Sequence, residues 1–559
     1  MILADLAASK SKRRAPVRVR HLPTIAAVAL ILVAGLTAYS NSFSGVYVFD
    51  DEPALEQNPN VRSLWPLTTA MSAPADTTLS GRPVAALSFA VDRAVADDAL
   101  FSDHAANLLI HLTAALLLFG ITRRTLMTPP LRERFSSSAT TLALIVALIF
   151  VVHPIQTGSV TYVVQRVESL MGLLYLATLY CAIRALDANR RSRVLWTGAS
   201  VLACALGMGT KEVMATAPLM VMLWDRQFAP DRMRVRRPLY GLLASTWVIL
   251  AVLVAGGHRS MSVGFGFAGW PWWRYLMTQA GVIAHYLRLA VIPTPLVLDY
   301  DWRAASSVMQ VALPGALVTG LLAATLWGLW RRSPAAFAGA WFFLILAPSS
   351  GVIPVVTEVA AEHRMYLPLA AVIALAVLGL SVVLRRMPRA GLIVAAAVVL
   401  LFARMTYARN ADYQDYDRIW SATIAERPQN ARARNNYATS LLMKGRYGEA
   451  EPHLRVAVEE NTSFAEAEAN LGVALSAQGR LDEGAAHLRR AIEIQPDYVS
   501  AHRNLGETYA VQNRLGDAFA EYTKALAIAK SKGDVNVARD LENRLALIAR
   551  DLKRREGRN

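Results

Sequence analysis

The chain has 559 residues, too many for one compact core, so two or more folded units are expected. Hydrophobic residues make up 54% and mean hydropathy is +0.32, yet 18% of residues are charged, a mixture that fits a multispanning membrane region joined to a soluble one. The formal charge of +16 comes in good part from basic residues in short runs between apolar segments, where they orient helices, so no nucleic-acid partner is expected. Cys181 and Cys204 both fall inside apolar segments and form neither a disulfide framework nor a zinc site.

Residues 1–21 carry Lys10, Lys12, Arg13, Arg14, Arg18 and Arg20, a basic cytoplasmic flank. The apolar run from Leu22 to Tyr39 ends on Ala38-Tyr39-Ser40, which faintly resembles a cleavage site. At about 18 residues it exceeds an ordinary signal-peptide core, and a retained signal anchor is expected. Phe49-Asp50-Asp51-Glu52 and Asn58-Pro59 follow in a loop of residues 41–103. A carboxylate near a bilayer surface needs a cation, a proton or a task, because desolvation penalises its charged form. Further apolar runs lie near 104–121, 138–152, 167–185, 194–209, 212–225, 239–256, 311–330, 335–350, 366–384 and 388–405.

The basic loops, Arg123-Arg124 with Arg132 and Arg134, Arg190-Arg191 with Arg193, Arg232 to Arg237, Arg331-Arg332, and Arg385-Arg386 with Arg389, belong on the cytoplasmic side with the N-terminus. Alternation holds if Trp272 to Ile292, which opens on Trp270-Pro271-Trp272-Trp273 and holds Arg274, His285 and Arg288, is an interfacial or re-entrant helix. The reading is an all-α polytopic membrane bundle of about 11 spans over residues 22–410. The C-terminal region, residues 411–559, is then on the outer side.

That region repeats. Asn436, Asn470 and Asn504 are 34 residues apart, as are Gly445, Gly479 and Asn513, and Ala457, Ala491 and Ala525. A 34-residue period with small residues at fixed places and a turn residue between them is the tetratricopeptide (TPR) signature, an α-solenoid of stacked helix pairs. Three full repeats are expected, preceded by a half repeat (Asp415-Tyr416, Trp420, Pro428) and closed by an amphipathic capping helix from Asn536 to Leu552. Such arrays bind peptides or partner proteins along a concave face.

With orientation assigned, the polar residues of the membrane half fall on one side. Asp50, Asp51, Arg82, His104, His153, Arg166, Glu168, Lys211, Glu212, Asp299, Asp301, Glu362, His363, Arg364 and Tyr366 all reach the outer face, where they are expected to converge on a cavity. For any one residue, such as Lys211 beside Glu212, a plain structural ion pair is the competing reading. Carboxylates at Asp50 and Asp51 suit a general base toward an acceptor hydroxyl. Arg166, Lys211 and Arg364 suit a phosphate leaving group on which charge develops. A lipid-linked phosphosugar fits such a cavity as donor. His104 and His111 share a helix face but lack a third ligand, so no metal and no cofactor are expected. There is no glycine-rich phosphate loop and no nucleophile elbow, which disfavours a nucleotide-dependent enzyme.

Phe49-Asp50-Asp51 with Asn58-Pro59 resembles the first outer loop of the transmembrane and tetratricopeptide repeat-containing O-mannosyltransferases. Gly81-Arg82-Pro83-Val84, His104 with Asn107 and His111, and Val152-His153-Pro154 with Arg166-Val167-Glu168 are similar to successive blocks of that family. So are Lys211-Glu212 with Pro218 and Asp225, Asp299-Tyr300-Asp301, and Glu362 through Pro368. The resemblance covers nearly the whole chain. It implies the multispanning lipid-donor glycosyltransferase fold called GT-C, a polyprenyl- or dolichyl-phosphate sugar as donor, inversion at the anomeric centre and a first-loop acid as base, here Asp50 or Asp51. The chain departs from the family in its three or so clear repeats and its short loop between Gly257 and Trp270. Its many Arg and Ala residues hint at a bacterial source, for which undecaprenyl phosphate is the expected carrier, and leave the sugar open between mannose and others.

The expectation is therefore an inner-membrane glycosyltransferase acting on Ser or Thr hydroxyls of exported proteins, with the repeats presenting the acceptor in their groove. Asp51 is the base, with Asp50 as partner or alternate. Arg166, Lys211 and Arg364 hold the donor phosphate, while Arg82, His104, His153, Glu168, Glu212, Asp299, Asp301, Glu362 and Tyr366 support them. The rival readings are transfer onto a lipid or glycan, and a non-catalytic membrane scaffold whose repeats recruit envelope proteins.

Overall fold

The computed structural model describes residues 23–75, 77–96, 99–256, 263–267 and 270–556; the basic flank of residues 1–21 and most of the short loop after Gly257 lie outside the described residues. Within them the chain is helical, with a single isolated β-bridge between Val263 and Val355. Seven helical stretches are long and apolar enough to cross a membrane: Thr24–Ser44, Ala99–Leu126, Pro129–Val151, Val163–Asp187, Arg237–Ala255, Val308–Trp330 and Pro388–Gln414. The other four of the eleven apolar runs also fold as helices. Pro334–Leu346, Pro368–Val383 and Ala217–Phe228 are short, and Arg190–Met208 opens on three arginines. Trp272–Leu289 is a helix outside the seven. It buries Tyr275, Thr278, Gln279, Val282, Ile283, Tyr286 and Leu289 at three- and four-residue steps and leaves Trp272 and Trp273 exposed, an amphipathic pattern.

The loops sort by charge onto two ends of the bundle. At one end Arg124 pairs with Asp187 at 3.4 Å and Arg236 with Asp225 at 2.5 Å. At the other end the long first loop, the turns after Val151 and Met208, and the segments after Leu289 and Leu346 meet one another and the solenoid. The first loop is built rather than slack. Asn58 accepts from Asn60 N at 3.0 Å and donates to Ala54 O at 3.0 Å, and Pro59 opens the next short helix.

The C-terminal helices pair as Ala431–Met443 with Tyr447–Glu460, Ala465–Ala477 with Leu481–Ile494, and Val499–Val511 with Leu515–Ser531, followed by Val535–Glu556. Gly445, Gly479 and Asn513, at one register of the repeat, have φ of 72°, 84° and 64°. That left-handed turn explains why Gly or Asn stands there. Ala457, Ala491 and Ala525 are fully buried where paired helices touch. The solenoid is seated on the bundle, since Tyr413, Ile419, Trp420 and Ala433 share one hydrophobic core with Val48, Leu55, Phe89 and Val163.

Candidate functional site

A cavity of about 750 Å³ opens at the loop end of the bundle. Its lining is partly polar, with Asp50, Arg82, Lys211, Glu212, Asp299, Glu358, His363, Arg364 and Arg432, and partly apolar, with Met208, Leu250, Leu253, Val254 and Ile353 among others. Of these, Leu250, Leu253 and Val254 belong to the membrane helix Arg237–Ala255, much of whose surface is exposed.

The two first-loop acids part company here. Phe49 has φ of 50°, a left-handed conformation costly for an aromatic residue, and the bend sends the next two side chains to different surroundings. Asp50 faces the cavity: its Oδ2 accepts from Thr78 Oγ1 at 3.0 Å, and its backbone N donates to Tyr162 OH at 3.1 Å. Asp51 is fully buried and accepts from Val48 N at 2.9 Å and Val164 N at 2.6 Å, tying the first loop to the turn before Arg166. Burial pushes the Asp51 carboxyl well above the usual range, against the pull of those two amides.

The cations are held differently. Arg82 donates to Thr78 O at 3.0 Å and to Glu212 Oε2 at 3.2 Å. Lys211 Nζ donates to Glu168 Oε2. Lys211 and Glu212 are therefore each paired, but with other residues and not with each other. Arg364 donates to the carbonyls of Ser349 and Val359, both at 3.1 Å, and of Glu358. Carbonyls orient the guanidinium without cancelling its formal charge. Glu358 Oε2 lies 3.5 Å from His363 Nε2. Desolvation pushes Glu358 up to about 7, with Arg364 opposing and Asp50 adding repulsion. Burial, with Lys211 and Arg364 nearby, holds His363 well below its ordinary value, so the imidazole is neutral at pH 7.

Other residues expected at the site lie elsewhere. Arg166 is fully buried in a closed network. It donates to Asp92, to Asn107 Oδ1 at 2.5 Å and to Asp103 O at 2.9 Å, with its guanidinium 3.9 Å from the centre of the Phe89 ring. Its neighbour Gln165 is the residue that reaches the cavity. Glu362 accepts from Val297 N at 2.6 Å and Tyr300 OH at 2.9 Å and braces the segment carrying Asp299. His153 accepts from Ile155 N at 3.3 Å, and its other nitrogen meets Ala290 O at 3.3 Å. Tyr366 OH meets His111 Nδ1 at 3.0 Å, and His104 packs against Gly45. Asp301 lines a second pocket, of about 370 Å³, with Trp302 and Arg427. Among the described residues no three His, Cys, Asp or Glu side chains cluster in a metal-binding arrangement.

Among the polar cavity residues that the sequence reading did not single out are Thr78, Gln165, Glu358 and Arg432. Glu358 carried a signal, as the one acidic residue between Leu346 and Ala361.

Fold and site thus define a multispanning helical membrane protein whose loops and first solenoid repeat enclose one amphipathic cavity. The tetratricopeptide repeat family model matches residues 406–466 and 470–533. The chain is 25% identical to the protein O-mannosyl-transferase TMTC1 of Mus musculus over 80% of its own length and 59% of that protein's. It is 26% identical to the Homo sapiens counterpart, over 82% and 58%. Among solved structures, that of ArnT from Cupriavidus metallidurans bound to undecaprenyl phosphate matches with 17% identity, 83% of this chain, 79% of that one and a TM-score of 0.41. The similarity carried by the loop motifs therefore extends over about four-fifths of the chain: it is similar to protein O-mannosyl-transferases that it matches at about 25% identity, and it spans about three-fifths of the length of those curated relatives.

Proposed function

We propose that the chain is a membrane glycosyltransferase of the GT-C kind that moves a sugar from a polyprenyl-phosphate carrier to Ser or Thr hydroxyls of proteins. The observation that carries this reading is the amphipathic cavity, whose apolar lining suits a prenyl chain and whose polar lining brings a carboxylate together with cations. Asp50 takes the proton of the acceptor hydroxyl as its oxygen bonds to the anomeric carbon. The bond from that carbon to the phosphate oxygen breaks, and the phosphate gains one negative charge. Arg82, Lys211 and Arg364 stabilise that charge in a site partly closed to water. A single displacement of this kind inverts the anomeric centre.

Mannose as the sugar and protein as the acceptor are supported by the names of the relatives. The basic loops at the far end of the bundle support placing the cavity and the repeats on the outer side of a bacterial inner membrane. The test is transfer of tritiated mannose from undecaprenyl-phosphate mannose to membrane proteins by the purified chain. Label released from protein by β-elimination is the expected result. Label only in lipid or glycan would move the acceptor assignment. A folded chain that transfers no sugar from any polyprenyl-phosphate donor would refute the proposal and favour a scaffold.

A further inference from the structure

One wall of the cavity comes from the solenoid. Arg432 is the second residue of the first repeat helix, Ala431–Met443, and its side chain is 34% exposed toward the cavity. Its Nε lies 3.4 Å from Asp299 Oδ2, an oxygen otherwise buried without a hydrogen bond, and a terminal nitrogen donates to Thr357 O at 3.0 Å. The guanidinium also sits 5.8 Å from the centre of the Phe49 ring. Its neighbour Asn430 caps the helix, accepting from Ala433 N at 2.9 Å, and donates to Asp299 O at 3.0 Å. Arg432 thus touches the residue before Asp50, the residue before Glu358, and Asp299 itself.

Helix stability does not account for this arginine. The first turn of a helix favours acids and disfavours cations, because the backbone N–H groups carry partial positive charge there. The residues at the same register in the next two repeats are Glu466, an acid, and Ser500, which is uncharged; neither is a cation. Only the repeat that faces the cavity departs from it.

We propose that the first repeat is a working part of the transfer site: Arg432 is a positioning residue, a cation supplied by the solenoid that fixes the Asp50 loop, Asp299 and the Glu358 loop around the donor. This rests on the function proposed above. The repeats then do more than present an acceptor, and donor chemistry depends on them even when no acceptor is present.

The test uses the full chain and water as acceptor, where hydrolysis of undecaprenyl-phosphate mannose gives mannose and undecaprenyl phosphate. Arg432→Ala and Arg432→Gln are expected to raise the KM for that donor and slow hydrolysis, each by about tenfold, the worth of one charged hydrogen bond. The KM for an acceptor peptide stays unchanged, the melting temperature stays near that of wild type, and Arg432→Lys recovers part of the loss. Arg446→Ala, in an exposed pair with Glu449 in the same repeat, leaves both steps as in wild type. Folded Arg432 variants with wild-type donor KM and hydrolysis would overturn the inference alone. A shift confined to the acceptor KM would overturn it in favour of simple presentation. A wild-type chain that neither hydrolyses the donor nor transfers from it would instead overturn the function on which the inference depends.

Discussion

Exchanging each first-loop acid for its amide separates chemistry from structure at adjacent positions. Asp51 uses both carboxylate oxygens on buried amides, 2.9 Å from Val48 N and 2.6 Å from Val164 N. In Asp51→Asn one oxygen becomes an NH₂ group facing an N–H, so one buried donor is orphaned at a cost of about 1–3 kcal/mol. With a charge-assisted bond lost as well, the melting temperature should fall by on the order of 5 °C. Asp50 is only partly buried, and its Oδ2 accepts from the Thr78 hydroxyl, a bond that an Asn oxygen can also accept. Asp50→Asn should therefore melt like wild type while the transfer rate falls by roughly 10² to 10⁴, the worth of a general base. Initial rates with undecaprenyl-phosphate mannose and thermal melts of the same preparations give both readouts. Asp51→Asn with a wild-type melt and the larger rate loss would return the base to Asp51. A fall of only a few-fold in a well-folded Asp50→Asn would remove Asp50 from the chemistry.

Arg166→Met leaves Asp92 without its cation and Asp103 with Arg93 alone, and breaking this buried network should cost about 3 kcal/mol. The expected signs are low yield and early melting with an unchanged donor KM; a raised donor KM with a normal melt would place Arg166 at the donor after all. Glu362 gives a pH signature. Burial pushes its carboxyl from 4.5 up to about 7, against the pull of Arg409, so the folded chain holds a proton that the unfolded chain releases within that window. Stability should fall as pH rises from about 4.5 to 7, by on the order of 3 kcal/mol, and stay lower above it. Glu362→Gln keeps an oxygen for Val297 N and Tyr300 OH, so its melting temperature should decline less between pH 5 and 8. Superimposable pH profiles would refute the assignment.

The repeats were legible because their period is local: Gly445, Gly479 and Asn513 mark one turn by chemistry alone. Gathering of polar loops at one end followed from counting charges between apolar runs. The choice between Asp50 and Asp51 was hidden, because it turns on the φ of Phe49, which no composition rule sets. Arg166 misled for a related reason. A buried arginine with three tertiary partners and a cavity arginine look alike in sequence, and one residue of register gives the cavity to Gln165. Arg432 left a trace in the break from Glu466 and Ser500, but its meaning needed Asp299, more than a hundred residues earlier in the chain.

Trp420 packs edge-on against Phe49 with ring centres 5.5 Å apart, and it is fully buried together with Ile419 and Tyr413. Removing a buried Trp of this kind costs about 3–5 kcal/mol, a large share of the margin that keeps a protein folded. The first loop and the root of the solenoid are accordingly expected to melt as one cooperative unit, although the loop joins two membrane helices and the solenoid carries none. A shortened chain lacking Trp420 loses the loop that carries Asp50 along with the repeats. Loss of transfer in such a chain would report a collapsed wall, and any recognition by the groove would be read instead from substitutions on the exposed faces of the later repeats.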